Sequence, residues 1–331
     1  MDPATSPRPR RAQRMRAAVL AGPGRLELAD VARPEPGPGQ VRIRLEGSGL
    51  CGSNLPVFEG RPWFSYPLAP GAPGHEGWGR VDAAGAGVRA LSEGDRVACL
   101  GAAAFADYEV VDAAAAVKLP RALDGAPFPG EPLACAVNAF RRSGVEAGQA
   151  VAVVGVGFLG AVLTALAAGA GARVVAVGRR PSALEVARRM GAAEVVPLGE
   201  LWPTFERVKA AAGGRMLDVA IEAAGAQLPL DLAGELVRER GRLVIAGYHQ
   251  DGTRTVNLQS WNWRGIDVVN AHERNPAVYA EGMRLAVAAV AEGRLDPRPL
   301  YTHAVALERI GEAFAALRDR PEGFMKALVT M

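Results

Sequence analysis

Apolar and polar positions alternate with period two over the first third of the chain. They then give way to long apolar runs separated by helical patterns. Arg16-Ala-Ala-Val-Leu20 and Arg25-Leu-Glu-Leu28 flank a turn at Gly22-Pro-Gly24, and Val41-Arg-Ile-Arg-Leu-Glu46 alternates cleanly. These segments predict strands. Pro34–Gly39 reads as a turn-rich connector, and further short strands, such as 79–83 and 95–100, continue to about Leu119. This region reads as a mostly β domain. Near Glu131 the texture changes. A helix is predicted over Pro132–Arg142, and an apolar strand over Ala150–Val154. After a glycine turn, a helix runs from about Leu159 to Ala168, followed by a strand over Arg173–Val177. Ser182-Ala-Leu-Glu185 reads as a capping box opening a helix to Met190, stopped by Gly191. Strands follow at Glu194–Pro197, Leu217–Glu222 and Gly241–Gly247, with a helix from about Leu228 to Arg238. Strands alternating with helices predict a parallel, doubly wound sheet, hence an α/β chain. Helices are expected at about 278–292 and 307–317. The last strand, Lys326–Thr330, has no obvious place in a filled parallel sheet and is expected to return to the first domain.

Composition narrows the class. The 331 residues carry 38 Lys and Arg against 35 Asp and Glu. Five of the Arg fall in the first sixteen residues, so the body is close to neutral and no nucleic-acid partner is indicated. Residues 1–14 read as a disordered basic tail without aromatics for base stacking. Three Cys make no disulfide framework, and no apolar secretory segment follows the basic start, so a cytoplasmic protein is expected. The uncharged stretch Ala150–Ala172 is long enough for a bilayer. Its Val-rich start, glycine cluster and Ala-rich continuation read instead as a buried strand, turn and helix, so no membrane partner is expected.

Two sets of residues carry chemistry. Gly155-Val-Gly157-Phe158-Leu159-Gly160 is G-x-G-x-x-G between a strand and a helix. Gly155 permits the tight turn, Gly157 lets the backbone approach a pyrophosphate, and Gly160 allows close helix–strand packing. The second strand of this unit ends in Gly178-Arg179-Arg180, without the acid that NAD ribose hydroxyls favour. Glycine leaves room and guanidinium groups pair with a 2′-phosphate, so NADP(H) is preferred over NAD(H). The alternative is that both Arg are solvated helix-entry charges. The second set is Cys51, His75, Glu76 and Glu131, whose thiolate, imidazole and carboxylates suit Zn²⁺. Spacing alone leaves open both a zinc site and ordinary structural roles for these residues.

Gly49-Leu-Cys-Gly-Ser-Asn54, Gly74-His-Glu-Gly77, Gly94-Asp-Arg-Val97, Glu131-Pro-Leu133 and the glycine loop occur in an order that resembles the zinc-dependent medium-chain dehydrogenases/reductases. The sorbitol (polyol) and threonine dehydrogenase branch is the most similar. The resemblance runs from about Met15 to the C-terminus. It implies a GroES-like catalytic domain from 15–134 and 274–331, a Rossmann domain over 135–273, and a metal in the cleft. It also implies Cys51 and His75 as zinc ligands, Glu76 and Glu131 as carboxylates sharing the remaining position, and Ser53 as the proton-relaying hydroxyl. One catalytic zinc and no structural zinc are expected, because the four-cysteine lobe is absent. A homodimer or homotetramer is implied. Two positions depart from the pattern: Asn54 replaces the usual Asp, and Pro56 replaces the His that ends the relay in many members. Cys99 and Cys135 are expected to be packing residues.

The implied reaction moves a hydride between NADP(H) and a secondary alcohol or polyol, or its ketone, with zinc as Lewis acid. Phe58, Trp63, Phe64 and Tyr66 either line a substrate pocket or pack under their loop. His272 and Glu273 follow the last strand of the parallel sheet, where the resemblance places residues near substrate; Trp261 and Trp263 fall where it places subunit or cleft contacts. The competing readings are a zinc-free NADPH-dependent enone or quinone reductase of the same fold, and a non-catalytic NADPH-binding protein.

Overall fold

The computed structural model describes residues 13–331. The chain opens with a hairpin of β1 (Arg14–Gly22) and β2 (Arg25–Ala32), then β3 (Gln40–Gly49), the short helix α1 (Asn54–Phe58), β4 (Glu76–Ala84), β5 (Arg96–Cys99), β6 (Tyr108–Asp112) and β7 (Ala116–Lys118). Helix α2 (Gly130–Ser143) leads into β8 (Ala150–Val154), α3 (Phe158–Gly169), β9 (Arg173–Gly178), α4 (Pro181–Arg189), β10 (Glu194–Pro197), α5 (Leu201–Ala211), β11 (Leu217–Glu222), α6 (Gln227–Leu236), β12 (Val237–Ile245), α7 (Leu258–Arg264) and β13 (Asp267–Asn270). The chain closes with α8 (Pro276–Ala291), β14 (Tyr301–Ala306), α9 (Ile310–Asp319) and β15 (Lys326–Thr330).

β8 to β13 form one parallel sheet in the order β10-β9-β8-β11-β12-β13. The first strand lies inside and the order reverses beside it, as in doubly wound dinucleotide-binding folds. All five residues of β8 are buried, because helices cover both faces. Ala150, Ala152 and Val154 pack on one side with Leu230, Leu232 and Leu236; Val151 and Val153 pack on the other with Leu163 and Ala167.

The second sheet runs β14-β15-β3-β4-β5-β7, with β6 also on β3. β15 pairs antiparallel with β3, Leu328 opposite Gly49, so the last strand returns to the first region as the sequence predicts. Between the sheets, Leu133 and Val137 of α2 and Met283 and Val287 of α8 share one core with Ala98, Val156 and Met325. Among the described residues no helix is long and apolar enough to cross a membrane.

Several local expectations are corrected. The capping box at Ser182 does not form. Arg180 is the N-cap of α4, Pro181 takes the first helical position, and the Ser182 hydroxyl accepts from the Gly323 N–H at 3.3 Å. The helix predicted to reach Arg238 ends at Leu236, because Val237 already pairs with Leu217 of β11. Arg14 begins β1 and so is not part of the predicted disordered tail; residues 1–12 of that prediction lie outside the described residues. Helices α1, α5 and α7 had no clear signal: α1 is one turn, and α5 carries Trp202-Pro203 in its first turn.

Phe314 of α9 is fully buried, stacked on Phe58 (4.5 Å between centroids) and edge-on to Phe105 (6.0 Å). Phe314→Ala is expected to cost about 3–5 kcal/mol, read as a shift of the urea midpoint at unchanged slope.

Candidate active site

The site is assembled where β3, β4 and β15 begin or end. β3 ends at Gly49, and Cys51 follows in a turn closed by the Asn54 N–H on the Cys51 carbonyl at 3.0 Å. The Asn54 side chain closes the same turn from outside, its Oδ1 accepting from the Cys51 N–H at 2.9 Å. Its Nδ2 donates to the Pro73 carbonyl at 3.0 Å, and His75 Nδ1 contacts that carbonyl at 2.9 Å. A carbonyl has no proton to give, so Nδ1 carries the hydrogen, and Nε2 is the nitrogen that offers a lone pair whenever the ring is neutral. The departure Asn54 thus finds its reason. An amide can satisfy an N–H donor and a carbonyl acceptor together; a carboxylate cannot. The histidine is braced by Pro73 rather than by residue 54 itself.

Ligand atoms of Cys51, His75 and Glu76 lie within 4.8 Å of one another. Burial opposes a charge on His75. Its hydrogen bond with Cys51 and the charges of Cys51, Glu131 and Glu76 outweigh that and push its pKa up to about 10. This pocket therefore favours a cation between its donors. A thiolate, an imidazole nitrogen and a carboxylate at this spacing fit Zn²⁺.

Glu76, fully buried, is more than a donor. Lys326, 4 % exposed and first in β15, donates to Glu76 Oε1 at 2.8 Å and lies 2.6 Å from Oε2. Oε2 is off the hydrogen-bond direction, has no other partner and sits over Gly49, where a Cβ would fall 1.8 Å away. The Lys326 ammonium also lies 4.7 Å from the Phe158 ring centroid. Nothing in the sequence singled out Lys326; its partner is 250 residues away.

Glu131, in the first turn of α2, lies outside the trio. The Tyr279 hydroxyl of α8 donates to its Oε1, and Cys135 Sγ lies 3.6 Å from the same oxygen. Burial raises the Glu131 carboxyl above the usual range; the positive His75 opposes this and the Glu76 charge adds to it. Tyr279 is a second residue without a sequence signal. Cys135 is a helix packing residue between Glu131 and Tyr279, and Cys99 is buried in the β core. Ser53 is the N-cap of α1, its hydroxyl not spent on capping.

The glycine loop has the predicted geometry. Gly155 is left-handed (φ 109°) against Ala224, Gly157 faces open space, and a Cβ on Gly160 would fall 1.9 Å from the Gly155 carbonyl oxygen. Leu159 packs into the sheet core, while Phe158 stacks on Tyr301 at 6.2 Å. Buried Glu222, at the end of β11, accepts from the N–H groups of Ala224 and Gly225 at 2.7 Å and pairs with His249 at 2.9 Å. Gly178 is buried, and Arg179 is exposed. Arg180 is turned to the Phe324 carbonyl.

Among the proposed substrate residues, Phe58 is half-buried and stacks on Phe314. Glu273 is spent on the Arg274 and Asn275 N–H groups at 2.7 Å, and His272 stacks on Tyr248 at 5.8 Å. Neither hydrogen-bonds the metal-facing residues. Trp63 is 57 % exposed beside Phe64. Trp261 is core, and Trp263 is 88 % exposed.

Two family models match the chain: zinc-binding dehydrogenase over residues 155–288 and alcohol dehydrogenase GroES-like domain over 37–121. Sorbitol dehydrogenase of Homo sapiens is 30% identical over 91% of this chain and 92% of its own length. Among solved structures, 2R,3R-butanediol dehydrogenase from Bacillus subtilis superposes with a TM-score of 0.83 at 25% identity, covering 96% of this chain and 99% of that one. A proposed zinc-binding dehydrogenase of Sinorhizobium meliloti 1021 bound to NADP superposes with a TM-score of 0.82 at 27% identity, covering 96% and 100%.

Removing one partner of a buried pair leaves the other charge uncompensated. Lys326→Met is therefore expected to destabilise by about 3–5 kcal/mol, and Lys326→Met with Glu76→Gln by clearly less, both measured by denaturant unfolding. Asn54→Asp removes the donor to Pro73 and is expected to cost about 1–3 kcal/mol and to weaken metal binding in a chelator competition.

Proposed function

The chain belongs to the zinc-dependent medium-chain dehydrogenase/reductase superfamily, in its sorbitol/polyol branch, and from that premise we propose that it moves a hydride between NADP(H) and a secondary alcohol or polyol, or the matching ketone. The observation that carries this reading is the convergence of Cys51, His75 and Glu76 donors within 4.8 Å. A zinc-free reductase of the same fold has no use for that trio.

In this reading Cys51, His75 and a carboxylate hold one zinc ion, and residues 15–134 and 274–331 work as the catalytic unit against 135–273. Bound zinc supplies a Lewis acid for the substrate oxygen. Every other part falls to the chain's own residues. Asn54 and Pro73 hold the Cys51 turn and the His75 ring in register, so the donors need no rearrangement when loaded. Lys326 offsets the Glu76 charge and holds its Oε1. Tyr279 holds one oxygen of Glu131, leaving that carboxylate beside the trio rather than in it. Ser53, two residues after Cys51 and with a hydroxyl not spent on capping, takes the alcohol proton. With Pro56 buried where relay members carry a histidine, the proton leaves by water or a carboxylate. The glycine loop and the N-terminus of α3 receive the pyrophosphate, and Gly178 and Arg179 the adenosine ribose and its 2′-phosphate.

Protein purified without chelator is expected to carry one zinc per subunit, lost in Cys51→Ala, and to oxidise members of an alcohol and polyol panel with NADP. A chain free of zinc after growth in added metal overturns the reading. Ser53→Ala is expected to keep its zinc and lose turnover by about 100-fold or more; full turnover removes the relay role.

A further inference from the structure

Three arginines belong to the neighbourhood where β9 hands over to α4, and one of them opens a loop from the far end of the chain. Arg179 and Arg180 follow Gly178, the last residue of β9. The loop between α9 and β15 lies against this turn. Arg180 donates to the Phe324 carbonyl and approaches the Met325 sulfur at 3.8 Å, while the Gly323 N–H donates to Ser182 at 3.3 Å. Arg320 opens that loop as the C-cap of α9, with φ 46° in the left-handed region. Only one other non-glycine residue among those described, Arg240, has a positive φ. A side chain in that region costs about 1–2 kcal/mol relative to glycine.

The cluster lacks its counter-charge. Among the described residues, no carboxylate lies within 4 Å of Arg179, Arg180 or Arg320, although most other arginines of this chain are paired. Burial lowers the Arg320 pKa and Arg179 lowers it further; burial and Arg320 do the same to Arg180, with Glu322 partly opposing. Like charges in one neighbourhood repel, and a dianion between them converts that repulsion into charge-assisted hydrogen bonds. The end of the second strand of a doubly wound sheet is where the adenosine ribose is read.

We propose that Arg320 is a specificity-determining residue for the cofactor: it binds the 2′-phosphate of NADP(H) opposite Arg179, while Arg180 ties its loop to the β9–α4 turn. The inference rests on the NADP reading above and extends it. One phosphate would then bridge the parallel sheet and the C-terminal segment of the other, so that NADP(H), and not NAD(H), draws the two together at this edge.

The test is calorimetric binding of 2′,5′-ADP and 5′-AMP to the full-length protein and to Arg320→Gly and Arg179→Gln. Glycine removes the guanidinium and relieves the left-handed backbone, so the melting temperature of Arg320→Gly is expected to hold or rise. The wild type is expected to favour 2′,5′-ADP. In each variant the ratio of the two affinities is expected to fall about ten-fold or more, one charge-assisted contact's worth. If the wild type favours 2′,5′-ADP and only Arg179→Gln lowers the ratio, the role of Arg320 is refuted and the NADP reading stands. If the wild type shows no preference, both fall.

Discussion

The buried pair of Glu76 and Lys326 is the interaction on which the rest of the site depends. It joins the first residue of β4 to the first residue of β15, two strands that do not hydrogen-bond each other because β3 lies between them. Each offsets a charge that would otherwise stand unpaired in that interior. The pair fixes the C-terminal strand, offsets the carboxylate behind Cys51 and His75, and places an ammonium against Phe158 at the start of α3. A change in any of these three is felt by the others through a single nitrogen. The glycine at 49 is part of the same constraint, because a side chain there would occupy the space of Glu76 Oε2.

The remaining supports are short, rigid and local. Asn54 and the Pro73 carbonyl set the Cys51 turn and the His75 ring without adding a charge to the site. Glu131 is held from the other side by Tyr279, across the α2–α8 contact that also forms the core between the two sheets. The packing that joins the sheets is therefore also what sets the distance between the glycine loop and the donor trio.

The two charged clusters contrast. Glu76 and Lys326 satisfy each other, and their role is architectural. Arg179, Arg180 and Arg320 do not, and the fold bears their mutual repulsion together with a strained backbone at Arg320. The proposed 2′-phosphate would supply the counter-charge that the β9–α4 turn lacks.

Periodicity carried most of the fold. Ala150–Val154, Glu194–Pro197, Leu217–Glu222 and Lys326–Thr330 were legible as strands to the residue, because short runs rich in Val, Ile, Leu and Ala are set off by polar or glycine-bearing turns. The glycine loop was legible because its chemistry is local: turn, approach and packing lie within six residues. Cys51, His75 and Glu76 stood out by type and flanking glycines, but only the tertiary structure brought them together. It alone decided that Lys326 completes Glu76, that Tyr279 holds Glu131, that Phe58 packs on Phe314, and that the loop opened by Arg320 lies against the β9–α4 turn. Each of these depends on a contact between residues far apart in sequence. Residue spacing records short-range geometry and chemical type; which distant side chains become neighbours is set by how sheets and helices pack.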